Sequence, residues 1–302
     1  MATLKGQNIR ILLLDGTDFK VVGKSTNCTV TLTGNTDDAS TKDDVGMASK
    51  PEIISKSWSV QVESLDVTDT AAMLNAIKNL TPFMLCWDEV STTDNQSPGY
   101  STMQRGGQAY LNDVTFTWND RENSVKQLQF AGSGPLTHDT QITAEAIAVD
   151  GTYTKGQFVR LFLGNDNTAV PAKVVAYAKQ LSLHVSMSLE SATTKDTEGD
   201  WEIQEPTALS FDITSNALVR SGDTITSTVQ GQEFADIEAI YEASAPVRFK
   251  IANVSGANNR TSGFTICSGS VVVTQLTLNA PNRQNASYTT SLAGYGIYTV
   301  SA

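Results

Sequence analysis

Histidine is nearly absent from this chain: 302 residues hold two, His138 and His184. Cysteine is scarce as well, with Cys28, Cys86 and Cys267 far apart and odd in number. That excludes a disulfide framework and leaves no His/Cys spacing suited to a zinc site. The three thiols read as buried, free and reduced. Charge is thin, at 18% of residues, and basic charge is the minority: 21 Lys and Arg against 32 Asp and Glu, for a net charge of −11. A chain so acidic does not grip a phosphate backbone, because affinity for nucleic acid comes from Lys and Arg neutralising phosphates. It can lie beside nucleic acid without sticking. No apolar run approaches the roughly 18 residues of a membrane span, and the Met1–Gly6 start lacks the apolar segment of a signal peptide. No Gly-rich loop follows a strand and opens a helix as a phosphate cradle does; "GSGPL" reads as a turn.

What is present is repetition. "GQNIRILLL" from Gly6 parallels "GQFVRLFLG" from Gly156. "KVVGKSTNCTVTL" from Lys20 parallels "KVVAYAKQLSLHV" from Lys173, with His184 in the place of Thr31. "SWSVQVES" from Ser57 is set against "ALSFDITS" from Ala208, which brings Leu209 to the place of Trp58. The segment from Gly107 aligns without a gap to that from Gly269, with Arg121/Arg283, Asn123/Asn285, Gly132/Gly294 and Gly134/Gly296 matched. Such self-similarity divides the chain into two tandem domains, 1–136 and 153–302, joined by a polar and Ala-rich linker over 137–152.

The repeat reads as mainly β. Ile9, Ile11 and Leu13, and Trp58, Val60 and Val62, alternate with other residues, as half-buried strands do. In the first copy the pattern predicts strands over 8–14, 19–24, 28–34, 57–65, 82–87, 108–118 and 124–131. Met73, Ile77 and Leu80 then fall at helical spacing after a Thr68/Asp69 N-cap candidate, and Phe234, Ile237 and Tyr241 repeat that spacing. Pro82 and Pro246 stop the two helices. The expected domain is a β-sandwich or partial barrel with one flanking α-helix, built twice.

One polar loop is also written twice: "DDASTKDD", Asp37–Asp44, and "ESATTKDT", Glu190–Thr197. A solvated loop kept in both copies points to a contact. A calcium site is a weak alternative, because the acids lack the alternating spacing of a calcium loop and the second copy keeps only Glu190 and Asp196. Paired carboxylates for acid–base chemistry need a cleft that the sequence does not indicate. The expectation is that the protein is not an enzyme and holds no metal or cofactor.

The order of parts is specific. A β-hairpin carries "STKDD-VG" (Ser40–Gly46), then come "KSWSVQVESL" (Lys56–Leu65), a helix and two strands ending in Gly-x-Gly. The second copy supplies "TTKDTEGDW" (Thr193–Trp201) and "ALSFDITS" (Ala208–Ser215). This order resembles the major tail protein, or tail-tube, family of long-tailed bacteriophages, over nearly the whole chain and twice. The first copy lacks the counterpart of Trp201, with Met47 and Ala48 near that place. The resemblance implies a structural virion protein made in the bacterial cytoplasm. It implies rings that stack into a tube through which duplex DNA passes without specific binding, with tape-measure, terminator and tip proteins as further partners and no membrane in the tube. The duplication implies trimers of two-domain chains as pseudo-hexameric rings. It also implies inter-ring contacts by the two loops: Asp37, Asp38, Thr41, Lys42, Asp43 and Gly46 in the first, and Glu190, Thr194, Lys195, Asp196, Gly199 and Trp201 in the second. Alternation opposite Trp58, Val60 and Val62 suggests Gln61 and Glu63 for the lumen. The competing readings are a surface or capsid-decorating β-sandwich adhesin and the inner tube of a contractile injection machine.

Overall fold

The computed structural model describes residues 6, 9–15, 18–41, 43, 49–65, 67, 69–89, 102–103, 105–137, 140–141, 144–145, 155–197, 199–219, 231–255 and 261–301. The fold is mainly β. In chain order the first half holds β1 (Ile9–Asp15), β2 (Asp18–Val21), β3 (Ser25–Asp38), β4 (Pro51–Ser64), helix α1 (Thr70–Lys78), β5 (Pro82–Glu89), β6 (Thr102–Met103), β7 (Arg105–Asn119) and β8 (Val125–Gly132). Two short strands follow, β9 (Thr140–Gln141) and β10 (Ala144–Glu145). The second half holds β11 (Val159–Leu163), β12 (Lys173–Val175), β13 (Ala178–Ser191), β14 (Gln204–Leu218), β15 (Gly231–Gln232), helix α2 (Phe234–Ala243), β16 (Val247–Ser255), β17 (Thr261–Asn279), β18 (Ser287–Gly294) and β19 (Thr299–Val300).

The pairings run twice in the same order. β2–β1–β5–β7–β8–β4–β3 in the first half is matched by β12–β11–β16–β17–β18–β14–β13 in the second, every pair antiparallel. The long strand of each half pairs with different neighbours along its length, within one large sheet. β7 pairs β5 through its first part and β8 further on, with a register break between Leu111 and Asp113. β17 breaks in the same place, between Val273 and Gln275. A bulge bends a strand and raises its twist, which lets the sheet turn at this point.

Local backbone features repeat too. Left-handed residues come in matched pairs: Lys24 and Tyr177, Leu80 and Ser244, Arg121 and Arg283. Gly134 and Gly296 both take φ of +80°, a conformation that glycine adopts without steric cost. A second glycine pair serves packing. The Trp58 ring lies on Gly132 and the Phe211 ring on Gly294, each so close that an added methyl would overlap it.

That pairing corrects the sequence alignment. Trp58 stands opposite Leu32, and Phe211 opposite Val185, so Phe211 and not Leu209 takes the place of Trp58. A slip of two residues keeps the same face in a strand of period two, which is why the wrong register reads as plausibly as the right one. The Trp58 Nε1–H donates to the Gly134 carbonyl at 3.1 Å, satisfying the ring's only donor in a buried site.

The helices match expectation in place and differ in detail. α1 buries Met73, Leu74 and Ile77, while Leu80 lies past its end and is exposed. α2 buries Ile237 and Ile240, and Tyr241 faces solvent. Asp69 does occupy the N-cap of α1, but its carboxylate pairs with the buried Lys126 ammonium at 2.5 Å instead of capping the helix. Thr68 lies outside the described residues. Within 137–152, expected to be linker, β10 adds in parallel to β2 and β9 pairs with β6.

Candidate assembly surfaces

The two halves meet strand to strand. β7 and β13 pair antiparallel over seven positions, from Asp113↔Ser186 to Asn119↔Gln180. This joins both halves into one antiparallel band, β3–β4–β8–β7–β13–β14–β18–β17. One face of the seam is core. Val114, Phe116 and Trp118 lie against Leu181, Leu183 and Val185, all buried. α1 packs beneath, against β7 and β13, and the Tyr298 hydroxyl of the second half donates to the Leu74 carbonyl of α1 at 2.8 Å. Burying these side chains is worth roughly 1.5–3 kcal/mol each, so the halves are held as firmly as a core.

The other face of the band is polar. Outward positions of β3, β4, β7, β8, β13, β14, β17 and β18 carry Ser, Thr, Asn, Gln and Ala almost throughout. The exceptions are the titratable Glu63, Asp113, His184 and Asp212, the apolar or aromatic Tyr110, Val125, Leu218 and Val272, and Glu190 and Glu205 toward the hairpin end; no paired outward position of the band is Lys or Arg among the described residues. Gln61 and Glu63 sit on this face, opposite Trp58, Val60 and Val62 as alternation suggested. Glu63 accepts from the Thr26 hydroxyl at 2.8 Å and from the Gln127 amide at 3.3 Å.

His184 holds the centre of the seam. One ring nitrogen meets Asp113 on β7 at 2.7 Å and the other meets Asp212 on β14 at 2.7 Å. Desolvation at this half-buried position pulls the imidazole pKa down, but the hydrogen bonds and charges of Asp113 and Asp212 outweigh it and raise the pKa above its ordinary value. The sequence sets His184 only in the place of Thr31 and does not reveal this cluster. Its partners lie on two other strands, 71 and 28 residues away, and no local spacing announces them.

The two polar loops sit at the far ends of the hairpins β3–β4 and β13–β14. Asp37 and Asp38 end β3, and Thr41 and Asp43 follow, all exposed; Lys42 and Gly46 lie outside the described residues. The Asp38 carboxylate accepts from the Ser40 hydroxyl and amide and from the Lys50 amide, which holds its pKa below the usual range and closes the loop on itself. Glu190 stands opposite Glu205 near the end of β13. Thr194, Lys195 and Asp196 form an exposed turn, with the Asp196 amide donating to the Thr194 hydroxyl, and Gly199 follows at φ +80°. The returning arm then leans sideways on the first half. Trp201 bridges to Lys56, whose ammonium meets Asp200 at 2.9 Å. The Gly134 amide donates to the Glu202 carbonyl at 2.8 Å. Thr194–Asp196 and Trp201 therefore differ in setting: the first is a free tip, the second part of the lateral contact. His138 lies outside the described residues. Among the described residues no group of three His, Cys, Asp or Glu is arranged to hold a metal, and no helix is long and apolar enough to cross a membrane.

The comparisons return structures and no sequence relatives. No family model matches the chain, and no curated protein does. The tail of an empty gene transfer agent particle, refined with C6 symmetry, is similar over 48% of this chain and 96% of its own, at 15% identity and a TM-score of 0.37. The virion of a native gene transfer agent particle is similar over 49% and 99%, at 14% identity and a TM-score of 0.36. The SPP1 tail tube is similar over 48% and 78%, at 13% identity and a TM-score of 0.36.

Proposed function

We propose that this chain is a structural, non-enzymatic subunit of a phage tail tube, made of two tail-tube-like copies, 1–136 and 153–302, joined through 137–152. The observation that carries this reading is the seam itself. One copy adds to the other edge to edge, while the band ends in two open edges, that of β3 and that of β17 beyond its pairing with β16 at Val271, which pair with nothing among the described residues. A head-to-tail contact of this kind either closes into a ring or propagates, and closure removes exposed sheet edges. Three chains supply six copies and a barrel of about 24 strands, against the 16–18 that already leave an aqueous channel in porins. At about 4.8 Å per strand the backbone diameter is at least about 37 Å. The polar face, free of Lys and Arg, turns inward; its hydroxyls, amides and few acids give phosphates nothing to bind, so duplex DNA slides through. The hairpin tips around Asp37–Asp43 and Glu190–Gly199 meet the next ring, and rings stack into a tube in the virion. Tape-measure, terminator and tip proteins are the further partners.

Negative-stain electron microscopy of the purified chain across a range of concentrations tests this. Rings or tubes with a central hole and three-fold or pseudo-six-fold symmetry are expected. Monomer-sized particles at every concentration count against it.

A further inference from the structure

The internal seam is a template for the seam between chains. Aligned by their shared pairings, β13 corresponds to β3 at a constant offset, since Leu183↔Ile213 matches Val30↔Val60. β17 corresponds to β7 in the same way, since Val271↔Gly294 matches Ala109↔Gly132. The internal pair Leu183↔Phe116 thus maps to Val30 and Leu278, and His184↔Thr115 maps to Thr31 and Thr277.

Burial identifies these two edges as unfinished. In the internal seam Val185 and Phe116, the counterparts of Leu32 and Leu278, are fully buried. At the open edges Leu32 is 56% exposed and Leu278 51%, though both point to the core side of their sheet. Tyr295 and Ile297, at 58% and 70% exposed, stand where the internal seam has Ser133 and Pro135, the stretch over which the arm Glu202–Gln204 lies. Leu32 and Leu278 thus answer to Val185 and Phe116, both fully buried, and Tyr295 answers to Ser133, half-buried beneath that arm.

Resting on the tube reading, we propose that chains join by antiparallel pairing of β3 of one copy with the outer edge of β17 of the next, in the register that sets Thr31 opposite Thr277 and Leu32 opposite Leu276. The occupant is a second copy of this chain. This register sets apolar against apolar and polar against polar at each position, and a slip of one residue would set Leu32 among the polar residues. The seam lacks the internal ion cluster. Thr31, Ser59 and Gln275 stand where His184, Asp212 and Asp113 stand inside the chain, so it is held by backbone hydrogen bonds and apolar contact alone.

Paired cysteines test the register in the full chain with Cys28→Ser as background. Adjacent antiparallel pairs have Cα atoms about 4.5 and 5.5 Å apart, both within disulfide reach. Under mild oxidant, T31C/T277C and L32C/L276C are each expected to give a reducible ladder ending at three chains, and T29C/T277C none. A ladder from T29C/T277C but not from the two matched pairs overturns the register and leaves the ring reading intact. Rings without a ladder from any pair overturn edge pairing but not the ring. Monomer at every concentration in sedimentation overturns both.

Discussion

Trp58 closes its copy from the inside: buried, hydrogen-bonded to Gly134 and lying on Gly132. Trp58→Ala is expected to cost about 3–5 kcal/mol, read as a lower denaturation midpoint at unchanged m-value. Gly132→Ala, which forces a methyl into the same ring, is expected to cost about 1–3 kcal/mol by overpacking. If both melt as wild type, the aromatic–glycine contact is not part of the core. His184 makes the pH prediction. Its pKa is raised in the fold, so its bonds to Asp113 and Asp212 add stability that is fully present below the unfolded imidazole value of about 6.5 and lost as pH rises through the higher folded value. The melting-temperature difference between wild type and His184→Gln should therefore be largest near pH 6 and shrink toward pH 9. A difference independent of pH would mean that the cluster acts through neutral hydrogen bonds. Trp58 was legible from alternation alone, whereas His184 was not: alternation tells which face a residue takes, but not which strand lies beside it.

Elements were read more securely than their extents or their neighbours. Every strand expected in the first copy is present, because alternating Ile, Val and Trp allow little else. Yet β3 and β4 run to 14 residues each, well past the expected 28–34 and 57–65. Their outer halves are exposed on both faces, "GNTDD" being polar and "PEIISK" leaving Ile53 and Ile54 uncovered, and a strand without a buried face has no period to read. The same exposure makes the hairpin tip dispensable to the core. Deleting Asp37–Ala48 is expected to leave the melting temperature within a degree or two, since surface changes away from the core cost about 0.5 kcal/mol or less, and to abolish stacking of rings into tubes. Long tubes from the deletion would remove the inter-ring role from this hairpin. The second hairpin should behave differently, because Asp200–Gln204 lies on the first half through Lys56 and Gly134.

The whole molecule carries information that neither copy holds alone. Two copies of one fold share their alternation, so nothing local in the sequence distinguishes a strand that pairs within its copy from one that pairs with the next; the β7–β13 seam became visible only in three dimensions. That seam also explains why a solitary chain retains bare apolar residues at both ends of its band. An edge of this kind is a liability unless a partner covers it, and charge placed there is the usual means of keeping partners away. Leu32→Lys is therefore expected to hold the chain as monomer with its melting temperature unchanged, since the side chain it replaces is 56% exposed. Leu276→Asp, at the position opposite in the proposed register, should block assembly as well. Combining Leu32→Lys with Leu276→Asp places opposite charges across the seam, where a cross-strand pair contributes about 0.2–1 kcal/mol, and is expected to restore rings in part at low salt and less at high salt. Sedimentation of the three variants checks this. Rescue by the combined variant requires that the two positions meet between chains, whereas Leu32→Lys rings as stable as wild type would show that this edge stays open in the assembly.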